Sequence, residues 1–211
     1  HLAAPLMAGN AVIVKTPETS PLSGTLMGEI CRDVLPPGLV NIVHGPGLPT
    51  GDALVRHPKI WRIGFTGSVP TGLAIERSAA EVAVKHISLE LGGKNPMIVC
   101  PDADPATVAK AAVGGMNFAW AGQSCGSNSR LLVHESLYDE VVARVVAQVS
   151  AIKVGDALDP ASQMGPLNSV AHYQRVLSFV ESARQDGAKL LTGGERPTGE
   201  AFRRGYWLRP T

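Results

Sequence analysis

Two residues in this chain have side chains and neighbours suited to covalent chemistry. Cys125 stands in the run Gly122-Gln123-Ser124-Cys125-Gly126-Ser127. Glu90, thirty-five positions upstream, stands in Leu89-Glu90-Leu91-Gly92-Gly93-Lys94-Asn95-Pro96. A cysteine among Gly, Ser, Gln and Asn lacks the apolar company of a core residue. Small neighbours admit a substrate closely, and their backbone N–H groups can face a developing oxyanion. A thiol has a reference pKa of about 8.5, so a nucleophile here requires local help in ionising. Judged by its surroundings alone, Cys125 fits a nucleophile and an inert loop thiol equally. Glu90 follows Ile87 and Leu89 on an apolar stretch that reads as the end of a buried parallel strand, where α/β proteins place their sites. Desolvation there would lift its carboxyl toward working pH and suit it to general-base work. An ordinary surface carboxylate would show the same pattern. Cys31, mid-helix, and Cys100, at the end of an apolar strand, read as small buried hydrophobes.

Three further motifs have the types of residue that hold a nucleotide. Phe65-Thr66-Gly67-Ser68-Val69-Pro70-Thr71-Gly72 reads as strand, tight turn and helix start. Free N–H groups and the positive dipole end at such a turn favour phosphate, although Ser68 as a plain helix cap explains it almost as well. Gly45-Pro46-Gly47-Leu48-Pro49-Thr50-Gly51 follows a strand but is one residue longer than the dinucleotide fingerprint, so by itself it is a turn. Lys15-Thr16-Pro17-Glu18 puts a cation and an anion at a strand exit, a pattern that a surface pair also produces.

The elements that must position these residues alternate. Ala11–Lys15 and Leu39–His44 are runs of β-formers, separated by a helix from about Leu22 to Val34 that Ser20-Pro21 opens as cap and first-turn proline and Pro36-Pro37-Gly38 stops. A short helix from Thr50 or Gly51 to His57, a strand Ile60–Phe65, a helix Thr71–Ala80 and a strand His86–Leu89 follow. After Glu90 the pattern restarts: strand Pro96–Val99, a helix from Asp102-Ala103-Asp104-Pro105 to about Phe118, a loop over 122–129, and strand Arg130–His134. Ser136–Ser150 is amphipathic, with Leu137, Val141, Val142, Val145, Val146 and Val149 at helical spacing. An irregular stretch, a helix Asn168–Gln185 and a strand Lys189–Thr192 complete the chain. Strands and helices in alternation through short turns give parallel sheets with helices on their faces, an α/β fold.

Composition excludes several classes. With 211 residues, 45% hydrophobic and 18% charged, the chain can bury one large or two modest cores. A net charge of +1 offers no field for nucleic acid or anionic membrane, so neither is an expected partner. Arg203-Arg204 before Tyr206-Trp207 reads as a solvated turn. The apolar opening Leu2–Val14 is broken by Pro5, Gly9 and Asn10, is too short to span a bilayer and lacks a basic flank. Three cysteines without CxxC spacing argue against a disulfide framework or zinc site, and the six histidines show no metal spacing. A reducing, cytoplasmic location is expected.

Taken together, these motifs resemble the NAD(P)-dependent aldehyde dehydrogenase family, over nearly the whole chain. The resemblance implies a small-molecule aldehyde substrate, oxidised to a carboxylic acid with NAD(P)+ through a cysteine thiohemiacetal and thioester. The family's Gly-Gln-x-Cys loop, matched by Gly122-Gln123-Ser124-Cys125, makes Cys125 the nucleophile. Its Glu-Leu-Gly-Gly-Lys motif makes Glu90 the base that activates hydrolytic water. The Phe-Thr-Gly-Ser motif places Gly67 and Ser68 at the cofactor pyrophosphate. The Lys-Pro-Ser-Glu segment, which binds the adenosine ribose, is matched at Lys15 and Glu18, with Thr16-Pro17 exchanging the middle order. Gly47 and Leu91 complete the implied cofactor contacts, and Asn117 and Trp120 lie near the site. A carboxylate at the ribose accepts from hydroxyls and repels a 2′-phosphate, so Glu18 favours NAD over NADP.

On that resemblance a Rossmann-like parallel-sheet cofactor domain occupies 1–90 and part of a second α/β catalytic domain occupies 91–211. The family's oxyanion asparagine would lie upstream of Lys15, and its Glu-x-Phe-Gly-Pro motif beyond residue 211. With no initiator Met before His1 and no cap after Thr211, the expectation is an internal piece of a longer homo-oligomeric protein. Such a piece would be inactive alone, with open sheet edges and bare apolar faces. Two alternatives stay open: a CoA-acylating relative, which tends to lack a base at the Glu90 position, and a non-catalytic nucleotide-binding protein of the same fold.

Overall fold

A computed structural model describes residues 2–211 as two compact units that divide between Gly92 and Gly93. The class is α/β, and its organising element is a βαβ unit used three times. In the first unit, after a one-turn helix α1 (Ala3–Met7), strand β1 (Val12–Lys15), helix α2 (Leu22–Val34) and strand β2 (Val40–Val43) form one such unit. A wide turn, Gly47–Gly51, runs into helix α3 (Asp52–Arg56). Strand β3 (Arg62–Gly67), helix α4 (Val69–Ala80) and strand β4 (His86–Leu91) form the next. Both ladders are parallel, with Lys15 opposite Val43 and Gly67 opposite Leu91. The strands pair two by two: β2 and β3 share no ladder, and the two ladders are joined through α3 and α4.

That joint is charged as well as apolar. Arg56 on α3 binds Asp52 at 2.8 Å and reaches Glu81, just past α4, at 2.6 Å. Lys85 donates to the carbonyls of Val55 and His57 at 2.6 and 2.7 Å, closing the end of α3, where orphan carbonyls need donors. Val55 and Ala79 are the buried apolar residues there. Glycine brings the helices close to the strands. In α2, Gly24 lies over Thr16 and Gly28 over Ile42, so a side chain at either position would collide with the strand. The opposite face of α2 presents Leu22, Leu26, Ile30 and Val34 at i, i+4 spacing, all exposed.

The second unit holds β5 (Pro96–Val99), α5 (Pro105–Gly115), β6 (Arg130–Val133), α6 (Tyr138–Ser150) and α7 (Val170–Gln185). β5 and β6 are parallel, and α5 and α6 cover one of their faces with a core of Val99, Val108 and Val141. Ile98 and Leu132 point to the other face and are exposed. Asp104 caps α5 by accepting from Thr107 N at 2.8 Å, and Ser169 caps α7 by accepting from His172 N at 3.2 Å. Among the described residues no helix is long and apolar enough to cross a membrane.

Several local expectations need correction. Pro21, not Ser20, is the cap position of α2, and no side chain caps that helix. α5 stops at Gly115 instead of Phe118, because two glycines weaken its end and Asn117 turns left-handed at φ 58°. A short 3₁₀ turn, Phe118–Trp120, follows. Lys189–Thr192 is not a strand: no neighbouring strand pairs with it among the described residues, and the Thr192 hydroxyl bonds Ser150 at 2.8 Å instead. Cys100, expected in the core, is exposed just past the end of β5, and Cys31 is half-buried. Arg203 and Arg204 are exposed, as a solvated turn requires, with Arg203 paired to Glu200 at 3.0 Å.

Candidate active site

In the first unit the candidate residues gather at the carboxyl ends of the strands, where parallel strands leave a crevice. At the end of β1 and β2, Lys15 Nζ donates to the Thr16 carbonyl at 2.6 Å and to the Gly45 carbonyl at 2.7 Å. It also lies 3.6 Å from the Glu18 carboxylate. Glu18's own backbone N–H, then the Lys15 charge and the Gly47 N–H, hold its carboxyl below the ordinary value against an opposing desolvation. Three candidates, Lys15, Glu18 and Gly47, are thus one cluster with an ionised, exposed carboxylate at its rim. The strand ends beneath are fastened by His44, whose Nδ1 lies 2.8 Å from the buried Thr16 Oγ1 and whose Nε2 lies 3.2 Å from Thr25 Oγ1. The Thr25 hydroxyl is itself donated to the Pro21 carbonyl at 3.1 Å, so in this network it accepts from Nε2–H.

At the end of β3 and β4 the register sets Gly67 opposite Leu91 and Thr66 opposite Glu90. Ser68 caps α4, its hydroxyl accepting from Thr71 N at 3.3 Å. The cap takes up the Thr71 N–H, the Gly72 N–H bonds the Ser68 carbonyl at 3.0 Å and Pro70 has none, so Val69 keeps the first-turn N–H of this twelve-residue helix that points outward. Leu91 packs under α4 against Gly72, where an added Cβ would lie 3.1 Å from its Cδ2. Gly67, Ser68, Leu91 and Glu90 form a second cluster. Glu90 departs from expectation in one respect. β4 runs on through Leu91, so Glu90 lies within the strand, and on the pleat its side chain is exposed while its neighbours Leu89 and Leu91 are half-buried. The burial inferred from its apolar neighbours is not found, because alternate strand residues face opposite sides.

Cys125 belongs to the second unit and lies at the amino-terminal side of the β5–β6 ladder, in the connection from α5 to β6. The connection is wound tightly: Asn117, Ala121 and Gly122 all have left-handed backbones, at φ 58°, 52° and 71°. For Ala121 this costs about 1 kcal/mol or more, a strain of the sort that persists where surroundings over-determine a conformation. Ser127 is buried at 3% exposure and anchors the loop. Its hydroxyl donates to the Met116 carbonyl at 3.0 Å and accepts from Asn117 Nδ2 at 3.4 Å. Asn128 N donates to the Gly115 carbonyl at 3.0 Å. From the other side Asn95 Nδ2 donates to the carbonyls of Cys125, at 2.6 Å, and Ser127, at 3.2 Å. Cys125 itself is exposed, and among the described residues its backbone N–H has no protein acceptor. Trp120 is exposed beside this loop, and Asn117 supports it. An exposed thiol with an unspent N–H in a fixed loop can attack an electrophilic carbon and stabilise the oxygen that becomes charged.

The full chain, residues 1–211, matches the model of the aldehyde dehydrogenase family. The chain belongs to that family. Among curated aldehyde dehydrogenases it is similar to tropH of Talaromyces stipitatus, 45% identical over all of this chain and 41% of the relative. It is also similar to aminoaldehyde dehydrogenase 1, peroxisomal, of Pisum sativum, 44% identical over all of this chain and 41% of that protein. A solved aldehyde dehydrogenase, an AldC mutant from Pseudomonas syringae complexed with NAD+ and octanal, superposes with a TM-score of 0.93 at 36% identity, covering 99% of this chain and 43% of that one. The chain therefore spans about two fifths of the length of the curated relatives it matches.

Several residues that shape this chain's candidate site escaped the sequence reading. Thr16, His44, Asn95 and Ser127 act through bonds between positions 10 to 32 residues apart, which leave no periodic trace. A hollow of about 150 Å³ in the second unit, lined by Val149, Ile152, Thr192, Phe202 and Arg209 among others, contains none of the candidate residues. Among the described residues no group of three or more His, Cys, Asp or Glu is placed to hold a metal ion.

Proposed function

We propose that this chain serves an enzyme that oxidises a small-molecule aldehyde to its carboxylic acid, with NAD as cofactor, Cys125 as nucleophile and Glu90 as base. The observation that carries the reading is Cys125: an exposed thiol with an unspent N–H in a stapled loop, in a chain matched over its whole length by the aldehyde dehydrogenase family. The similar AldC mutant, complexed with NAD+ and octanal, supports the same cofactor and substrate class. We assign cofactor binding to the unit ending at Gly92 and covalent chemistry to the unit beginning at Gly93.

The residues present fit a dinucleotide. Glu18, ionised and exposed, would accept from ribose hydroxyls, with Lys15 and Gly47 holding it in place. Gly67 and the first turn of α4 behind Ser68 would take the pyrophosphate, with Leu91 lying beneath that helix. When bound, NAD supplies the hydride acceptor. Cys125 Sγ, as thiolate, forms a bond to the aldehyde carbon while the carbonyl π electrons move to oxygen. The Cys125 N–H then stabilises that oxyanion. Once the hydride has left, the thiohemiacetal has become a thioester. Glu90 takes a proton from water as its oxygen adds to the thioester carbon, and Sγ departs as thiolate. A reducing compartment suits such a thiol, with the cytoplasm as our proposal; the pea relative's name places that enzyme in the peroxisome. We also propose a homo-oligomeric whole protein.

Product analysis with and without CoA tests the reading. NADH and free acid, indifferent to CoA, are expected; an acyl-CoA product would move the enzyme to the acylating class. Iodoacetamide labelling of Cys125 that ignores both NAD and aldehyde would support the non-catalytic alternative. Glu18→Gln is expected to weaken NAD binding by about tenfold, the loss of a charge-assisted hydrogen bond, and to narrow the preference over NADP. Titration with both dinucleotides reads this directly, and an unchanged ratio rejects the ribose assignment.

A further inference from the structure

We propose that Asn95 is a positioning residue for the nucleophile, setting the peptide groups around Cys125 so that its N–H stays aimed at the substrate oxygen. The inference rests on the reading of Cys125 as nucleophile. Asn95 is itself well placed to act as a fixed point. It immediately precedes β5, and its carbonyl accepts from Arg130 N at 3.3 Å across the ladder. The preceding carbonyl, Lys94 O, accepts from Arg130 Nε at 2.8 Å. From this rigid base one amide nitrogen supplies both its protons to one loop, at Cys125 O and Ser127 O. Both partners are carbonyls, so the amide nitrogen, not the amide oxygen, must face them.

Gly93 forms the other wall of this seat. A Cβ there would stand 2.5 Å from the Cys125 carbonyl oxygen, inside contact distance with backbone, so only glycine lets the carbonyl settle against Asn95. A peptide group is planar, so fixing the Cys125 carbonyl also fixes the Gly126 N–H, which donates to Ser124 Oγ at 3.2 Å. Loop donors on either side are thereby spent on protein acceptors, and the Cys125 N–H is left over. Without the amide, the Cys125 carbonyl loses its donor, the Ser127 carbonyl keeps only Ser129 N at 2.8 Å, and the loop can rotate this N–H away.

Thiohemiacetal formation on the full 211-residue chain tests this without requiring turnover. Propanal accepts the Cys125 thiolate at its carbonyl carbon, one S–C bond forming as the π pair moves to oxygen and takes up a proton. The adduct blocks iodoacetamide, and alkylation is read residue by residue by peptide mass spectrometry. In the unmodified chain propanal is expected to protect Cys125 and not Cys100. In Asn95→Ala the propanal concentration for half-protection should rise about tenfold, a fraction of the loss from deleting an oxyanion donor outright. Alkylation without aldehyde should change little, since the thiol stays exposed, and Cys31 should remain slow, which reports an intact fold. Asn95→Ser, able to serve one carbonyl, should fall between the two, and it gives the answer should Asn95→Ala not fold. Half-protection that matches the unmodified chain in both variants would overturn the inference and leave the nucleophile standing. No protection of Cys125 in the unmodified chain would overturn both.

Discussion

Cys125→Ser is expected to abolish aldehyde oxidation while NAD still binds. A serine hydroxyl is a weak nucleophile unless a general base adjoins it. The polar side chains that support this loop within its own unit, those of Asn95, Asn117 and Ser127, are neutral amides and a hydroxyl. None of these can take a proton from serine. Loss of the nucleophile should lower turnover on the order of 10⁴-fold or more. The cofactor candidates Lys15, Glu18, Gly47, Gly67 and Ser68 all lie in the unit ending at Gly92, so titration with NAD should give the same affinity. Turnover retained in the variant rejects Cys125 as nucleophile, whereas lost NAD binding would mean that the substitution had damaged the fold.

The second large effect is a separation of steps. Glu90→Gln should still release a stoichiometric burst of NADH and then stall as the thioester, because the proposed carboxylate acts only when water must be deprotonated. Steady-state acid formation should fall by about 10²–10⁴-fold, the usual contribution of a positioned base. Stopped-flow absorbance measures the burst, and intact-mass spectrometry the trapped acyl group. Steady acid release at the original rate removes Glu90 from the role. The exposed position of Glu90 makes this the sharper of the two tests.

What could be read from residues alone follows from how local each signal is. The helix Leu22–Val34 was legible, though not its cap, because Pro21 and Pro36 bracket it and propensity decides between them. Phe65-Thr66-Gly67-Ser68 gave strand and cap, since Ser68 bonds a residue three positions on, but the strand runs through Gly67 where a turn was expected and the helix starts at Val69. The loop around Cys125 was recognised from its small residues, but not what holds it. Asn95 lies 30 residues from Cys125 in sequence and meets it only after β5 and β6 pair. Lys189–Thr192 misled for the opposite reason: β-formers predict a strand only where a neighbouring strand exists to receive it. Glu90 misled because two apolar neighbours describe its strand and not the face on which it lies.

Two protons of the Lys15 ammonium are claimed by the Thr16 and Gly45 carbonyls, and its charge stands 3.6 Å from the Glu18 carboxylate. A cation so engaged is a rivet between strand ends more than a receptor. An extra phosphate arriving on a ribose would have to pull a backbone contact apart before it could be neutralised, and it would meet the glutamate's like charge as it did so. Discrimination against the phosphorylated dinucleotide would then come from a positive charge already held by the fold, as much as from the negative one beside it.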